Sequence, residues 1–115
     1  MRALELLGQA QAVLAAGPKG QSSRVAAFLA RRALEEVIDA RCVLLDARAP
    51  AASTRSQLSI LRSLDDPEVA RRVATAWHRL SNVCHLHAYE LQPSVAEVEQ
   101  LCLVVAELVP VSAAG

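Results

Sequence analysis

The stretch Asp66-Pro67-Glu68-Val69-Ala70-Arg71-Arg72-Val73-Ala74-Thr75-Ala76-Trp77-His78-Arg79-Leu80-Ser81-Asn82-Val83-Cys84-His85-Leu86-His87 decides how the chain is read. Asp66 can accept from free N–H groups, Pro67 suits a first helical position, and Glu68 complements the positive end of the helix. Val69, Val73, Ala76, Trp77, Leu80, Val83 and Cys84 then recur at three- and four-residue steps. That is one apolar stripe of an amphipathic helix, predicted from Pro67 to about Glu90, where Gln92-Pro93 stops it.

The same signals recur outward from this segment. Downstream, Ser94-x-x-Glu97 is a capping box for a helix over 95–109, with Val98, Leu101, Cys102, Val105 and Leu108 facing inward. Upstream, Ser53 is placed to cap a short helix over 54–64 with Leu58, Leu61 and Leu64 on its buried edge. A longer helix is predicted over 23–47, capped by Ser22 or Ser23. Its stripe is Val25, Phe28, Leu29, Ala33, Val37, Ala40 and Leu44, and Arg31/Glu35 and Arg32/Glu36 stand as i,i+4 pairs on its flank. The first helix is predicted over 2–16, with Leu4, Leu7 and Leu14 near one face and Gly17-Pro18 as its stop. Short links favour antiparallel neighbours. The expectation is an all-α, antiparallel up-and-down bundle of four main helices plus one short helix, a single domain over 1–115 with a core within 22–109 and a tail over 110–115.

Composition agrees. The 115 residues include 22 Ala, 17 Leu and 13 Val but only three aromatics, Phe28, Trp77 and Tyr89. Ala and Leu are strong helix formers. Eleven Arg and one Lys balance twelve acidic residues, which excludes a broadly basic nucleic-acid or membrane-surface binder but not a local patch. Arg in place of Lys together with abundant Ala is the usage of a GC-rich bacterial genome. Cys42, Cys84 and Cys102 cannot all pair within one chain. No apolar run approaches the ~20 residues of a membrane span, so a cytoplasmic protein with reduced thiols is expected.

Chemistry concentrates in the helix after Pro67. At ~100° per residue, Arg71, Thr75, His78, Asn82 and His85 form a polar stripe opposite the apolar one, with Arg72 and Arg79 on its border. One reading is a solvated helix face. The other is an anion site. Arg offers a fixed fork to phosphate and His moves protons near neutral pH, the groups needed to cleave RNA without a metal. Tyr89 lies one turn beyond His85. Cys84-His85-x-His87 offers a zinc alternative, but these side chains converge only if the helix unwinds there. Phosphate-binding loops, Gly-x-Ser-x-Gly and Gly-x-Gly-x-x-Gly are absent, and no cofactor is implied.

Arg79-x5-His85 resembles the R-x(4–6)-H motif of the HEPN superfamily, and Arg72-x5-His78 satisfies it as well. The surrounding sequence resembles small actinobacterial HEPN-like proteins. The likeness spans about residues 22–108 and rests on Val25-Ala-Ala-Phe-Leu-Ala-Arg-Arg-Ala-Leu-Glu-Glu36, Arg55-Ser-Gln-Leu58 and Trp77-x-x-Leu-Ser-x-x-Cys-His-x-His-x-Tyr-Glu-Leu-x-Pro-Ser94. The resemblance implies a dimerising helical domain of toxin, defence or RNA-processing type. In catalytic members it implies a metal-independent endoribonuclease. His85 would then transfer the proton, Arg79 contact phosphate and Asn82 support them, with His78, Arg72, Arg71, Tyr89 and His87 as binding residues. A homodimer, RNA, and an antitoxin or nucleotidyltransferase are the implied partners. Leu80 departs from the pattern, since active members commonly carry a polar residue directly after the Arg. Zero net charge keeps a non-catalytic interaction module as the competing expectation.

Overall fold

The computed structural model describes residues 2–16, 22–46, 52–85 and 93–110. Among these residues the chain forms five helices and no strand: α1 (Ala3–Ala16), α2 (Ser22–Leu44), α3 (Thr54–Leu64), α4 (Pro67–Cys84) and α5 (Val95–Leu108). The fold is an all-α bundle with α3 as its short member. No helix among the described residues is long and apolar enough to cross a membrane.

Three helix starts follow their capping residues. Ser53 Oγ accepts from the Ser56 N–H at 3.2 Å, and Ser94 Oγ from the Glu97 N–H at 3.0 Å. Asp66 Oδ2 accepts from both Glu68 and Val69 N–H at 3.1 Å, with Pro67 in the first turn. Each bond satisfies donors that the helix itself leaves free. The start of α2 differs from expectation. Ser22 and Ser23 both lie inside the helix, and Ser23 is buried. Its end comes early too. Asp46 adopts φ 55°, a left-handed conformation that Asp tolerates and that a helix cannot continue through. Helix α4 closes at Cys84, with the His85 N–H shared between the carbonyls of Ser81 (3.0 Å) and Asn82 (3.2 Å). Its predicted continuation to Glu90 falls on residues 86–92, outside the described residues.

Cross-helix contacts set the directions. The Arg2 N–H donates to the Glu36 carboxylate (3.3 Å), which lays α1 back along α2. The Arg31 guanidinium lies 4.6 Å from the centroid of Trp77, and Arg41 holds Asp65 at the start of α4. Moving forward along α2 is therefore moving backward along α4. Arg72, early in α4, pairs with Glu107, late in α5. The sequence pairs Arg31/Glu35 and Arg32/Glu36 are not formed. Arg31 stacks on Trp77, Arg32 reaches Glu35 (3.2 Å), and Glu36 takes the Arg2 amide.

The core joins all five helices, α1 included through Leu6, Leu7, Ala10 and Leu14. Helix α2 buries Ala33 and Val37 of its predicted stripe and packs Leu29 against the core, but the rest of its inward face lies to one side of that stripe. Ala26, Ala27, Ala30 and Ala33 are fully buried, with Leu34, Val37 and Ile38, whereas Val25, Phe28 and Leu44 are exposed. Alanine faces let helix backbones approach closely, and α2 is the helix packed against all four others. Leu4 of α1 and Leu64 of α3 are likewise exposed, contrary to the sequence reading. The inward faces of α4 and α5 match it: Val73, Ala76, Leu80, Val83 and Val98, Leu101, Cys102, Val105, Leu108 are buried.

Candidate functional site

The outer edge of α4 is the polar stripe its sequence predicts. Arg71, Thr75, His78, Asn82 and His85 are all exposed, as is Arg79. Their neighbourhoods differ along the helix. Toward its start, the stripe forms one wall of a groove of about 590 Å³ between α3 and α4. Helix α3 supplies Arg55, Ser59 and Arg62 to the opposite wall, and α4 supplies Arg71, Thr75 and His78. The floor is apolar: Leu58, Pro67, Ala70, Ala74 and Trp77. Among the described residues no carboxylate lines the groove. Arg71 is paired with Glu68 on the same helix. Arg55, Arg62 and His78 have no ion-pair partner among the described residues.

Toward the end of α4 lie Arg79, Asn82 and His85, none of which lines the groove. The His85 ring Nδ1 sits 2.8 Å from the Ser81 carbonyl oxygen. A carbonyl only accepts, so Nδ1 carries the hydrogen, and the Nε2 of this exposed residue is left as the acceptor. Arg79 makes no hydrogen bond or ion pair among the described residues. Five residues separate it from His85 at the C-cap, six steps of ~100°, so the two project ~120° apart around α4. The second R-x5-H pair diverges in the same way: Arg72 reaches across to Glu107 of α5 while His78 lines the groove on the α3 side. Neither pair comes together in the α3–α4 groove. His87 and Tyr89 lie outside the described residues.

Among the described residues the thiols have no site-forming partners. Cys42, Cys84 and Cys102 are free; Cys42 and Cys102 are buried. Burial raises the Cys84 thiol pKa, with the Arg31 charge opposing it. Burial pushes Cys102 up to about 11, with Glu99 adding to the effect. Among the described residues no three His, Cys, Asp or Glu side chains gather to hold a metal ion. The Cys84-His85-x-His87 alternative depends on His87, outside those residues.

Sequence reasoning missed the α3 wall. Arg55, Ser59 and Arg62 stand at i, i+4 and i+7, a polar row whose signal is visible once the helix is assigned. The chain thus presents an all-α bundle whose exposed α4 edge is rich in Arg and His and meets an arginine row from α3. It matches no family model, no curated protein and no solved structure.

Proposed function

We propose that this protein is an RNA-binding domain of HEPN type, acting as a homodimer, with the outer edge of α4 as its RNA-contact face. The observation that supports this most is the run of exposed Arg71, Thr75, His78, Asn82 and His85, joined at one end by Arg55 and Arg62 with no carboxylate lining the groove among the described residues. Such a row meets a phosphate backbone with charge-assisted hydrogen bonds while the chain as a whole stays neutral.

Cleavage is the fuller form of the same proposal. His85 Nε2 takes the proton of a 2′-hydroxyl or returns one to the leaving oxygen. Arg79 neutralises the charge developing on phosphorus, and Asn82 supports the phosphate. No metal enters this chemistry. Because Arg79 and His85 diverge around one helix, a complete centre draws one of them from a second copy. A cytoplasmic toxin or defence setting, with an antitoxin or nucleotidyltransferase as neighbour, fits such an activity.

The test is single-stranded RNA incubated with the protein and with His85→Ala and Arg79→Ala in EDTA. Cleavage by the parent, with at least a hundred-fold loss in each variant, is expected. Equal cleavage by all three, or none by any, removes the catalytic form. RNA binding is read apart from cleavage by gel mobility, and should weaken as salt rises. Exposed Val25 and Phe28 favour a second reading, a non-catalytic interaction module. A chain that shifts no RNA yet self-associates would select it.

A further inference from the structure

The groove between α3 and α4 has a property that RNA contact does not require: cations line its walls and its floor is apolar. Contacts to the phosphates themselves are made by charged and polar groups. We infer that this groove is a binding site for a small organic anion with an apolar body, an alkyl or aryl carboxylate or phosphate monoester. The volume, about 590 Å³, lies within the range that buries a small ligand. Arg55 and Arg62 sit one above the other on α3, two turns apart, with His78 across from them on α4. Both guanidiniums are unpaired among the described residues, and Arg forks hold carboxylate and phosphate in the same bidentate geometry. Ser59 and Thr75 add hydroxyl donors on the two walls.

Below them, Leu58, Ala70, Ala74 and the Trp77 ring offer apolar surface. The two alanines leave the floor open where larger residues would fill it. An inorganic anion would satisfy the walls and leave this floor wet. A neutral hydrocarbon would cover the floor and leave the arginines unused. Only a ligand with both parts answers the whole lining. The groove shares Arg55, Arg62 and His78 with the proposed RNA-contact face, but RNA binding is read by gel mobility and this site by a small ligand, so the failure of one is distinguishable from the failure of the other.

Trp77 is the only tryptophan in the chain and it lines the groove, so its fluorescence reports on this site directly. Octanoate and octyl phosphate are titrated against the full chain, with inorganic phosphate and octanol as the charge-only and apolar-only probes. The expected result is a saturable change in Trp77 emission with either organic anion, at least ten-fold tighter than with inorganic phosphate and absent with octanol. The stronger of the two names the head group. Arg55→Gln combined with Arg62→Gln should weaken binding ten-fold or more. Both positions are exposed, so the variant keeps its fold. Ala74→Leu, which fills the floor without touching a charge, should weaken the organic anions and leave inorganic phosphate unchanged. No saturable change with either organic anion, or equal affinity in the double-arginine variant, overturns the inference.

Discussion

Asp65 lies at the junction of α3 and α4, and Arg41 of α2 closes on it. Arg41 Nε donates to Oδ2 at 2.6 Å and Nη2 to Oδ1 at 3.1 Å, while Nη1 reaches the Leu108 carbonyl at 3.3 Å. One guanidinium thus ties α2 to the α3–α4 corner and to the end of α5. The hydrogen bonds from Arg41 hold the Asp65 pKa below its ordinary value, helped by the Asp66 N–H and opposed by desolvation. A carboxylate depressed by folding stabilises the native state above its unfolded pKa of about 4. That contribution is lost as pH falls through the lower, folded value. Asp65→Asn should therefore cost about 2 kcal/mol at pH 7 and flatten the fall in stability below pH ~4, as urea titrations across pH would show. A variant whose stability falls in parallel with the parent would place the acid sensitivity elsewhere. The thiols give a second prediction at this scale. With a pKa of about 11, Cys102 holds roughly one thiolate per thousand at pH 8, and it is buried as well. Cys84, half-buried, should react first with a disulfide reagent, and Cys42 and Cys102 only on unfolding. Equal rates for all three in the native protein would contradict the packing of α5.

Among the elements, the starts of α3, α4 and α5 were legible and the inward face of α2 only in part. Ser53, Asp66-Pro67 and Ser94 announce α3, α4 and α5 because each cap is a local contact between a side chain and an amide two or three residues away. Asp66→Ala should therefore lower stability by about 1 kcal/mol, with helicity lost first from the beginning of α4. Helix α2 carries apolar residues on more than one edge, so periodicity alone cannot choose between them. The choice is made by neighbours: with the other four helices packed against α2, Ala26, Ala27, Ala30 and Ala33 are fully buried, and Val25 and Phe28 are left outside. Ala30→Leu tests this, and should destabilise by about 1–3 kcal/mol through overpacking. A neutral result would mean that the α2 interfaces are looser than they stand here. By sequence, Trp77 falls on the apolar stripe of α4. It is partly buried, with Arg31 stacked on it and the groove beside it, so Trp77→Ala should cost about 2 kcal/mol, less than a fully enclosed aromatic would. The candidate site divides along the same line. The exposed row on α4 follows from one helix wheel. The groove needs Arg55 and Arg62 from a different helix, and no local pattern says that α3 will lie beside α4.

At the scale of the whole molecule, large apolar side chains remain uncovered after the core is filled. Phe28 is 49% exposed and Val25 43%, three residues apart on one face of α2. The antiparallel run of α2 and α4 fixes where that face lies. Arg31 is level with Trp77, so Phe28 and Val25, three and six residues back along α2, lie toward the same end of the bundle as Asn82 and His85, five and eight residues forward from Trp77. A second copy seated on Val25 and Phe28 would therefore bring the two α4 ends near one another. That is the arrangement in which Arg79 of one copy could complement His85 of the other. The homodimer proposed above thus makes a linked prediction. Sedimentation equilibrium should give twice the 12.3 kDa chain mass, and Phe28→Glu should return it to one chain with helicity unchanged. Any RNA cleavage should fall with the dimer, although Phe28 is remote from the chemistry, while the response of Trp77 to octanoate in the α3–α4 groove should persist. Cleavage retained by a monomeric Phe28→Glu chain would mean that one copy suffices. A parent that sediments as a single chain would remove the pairing itself.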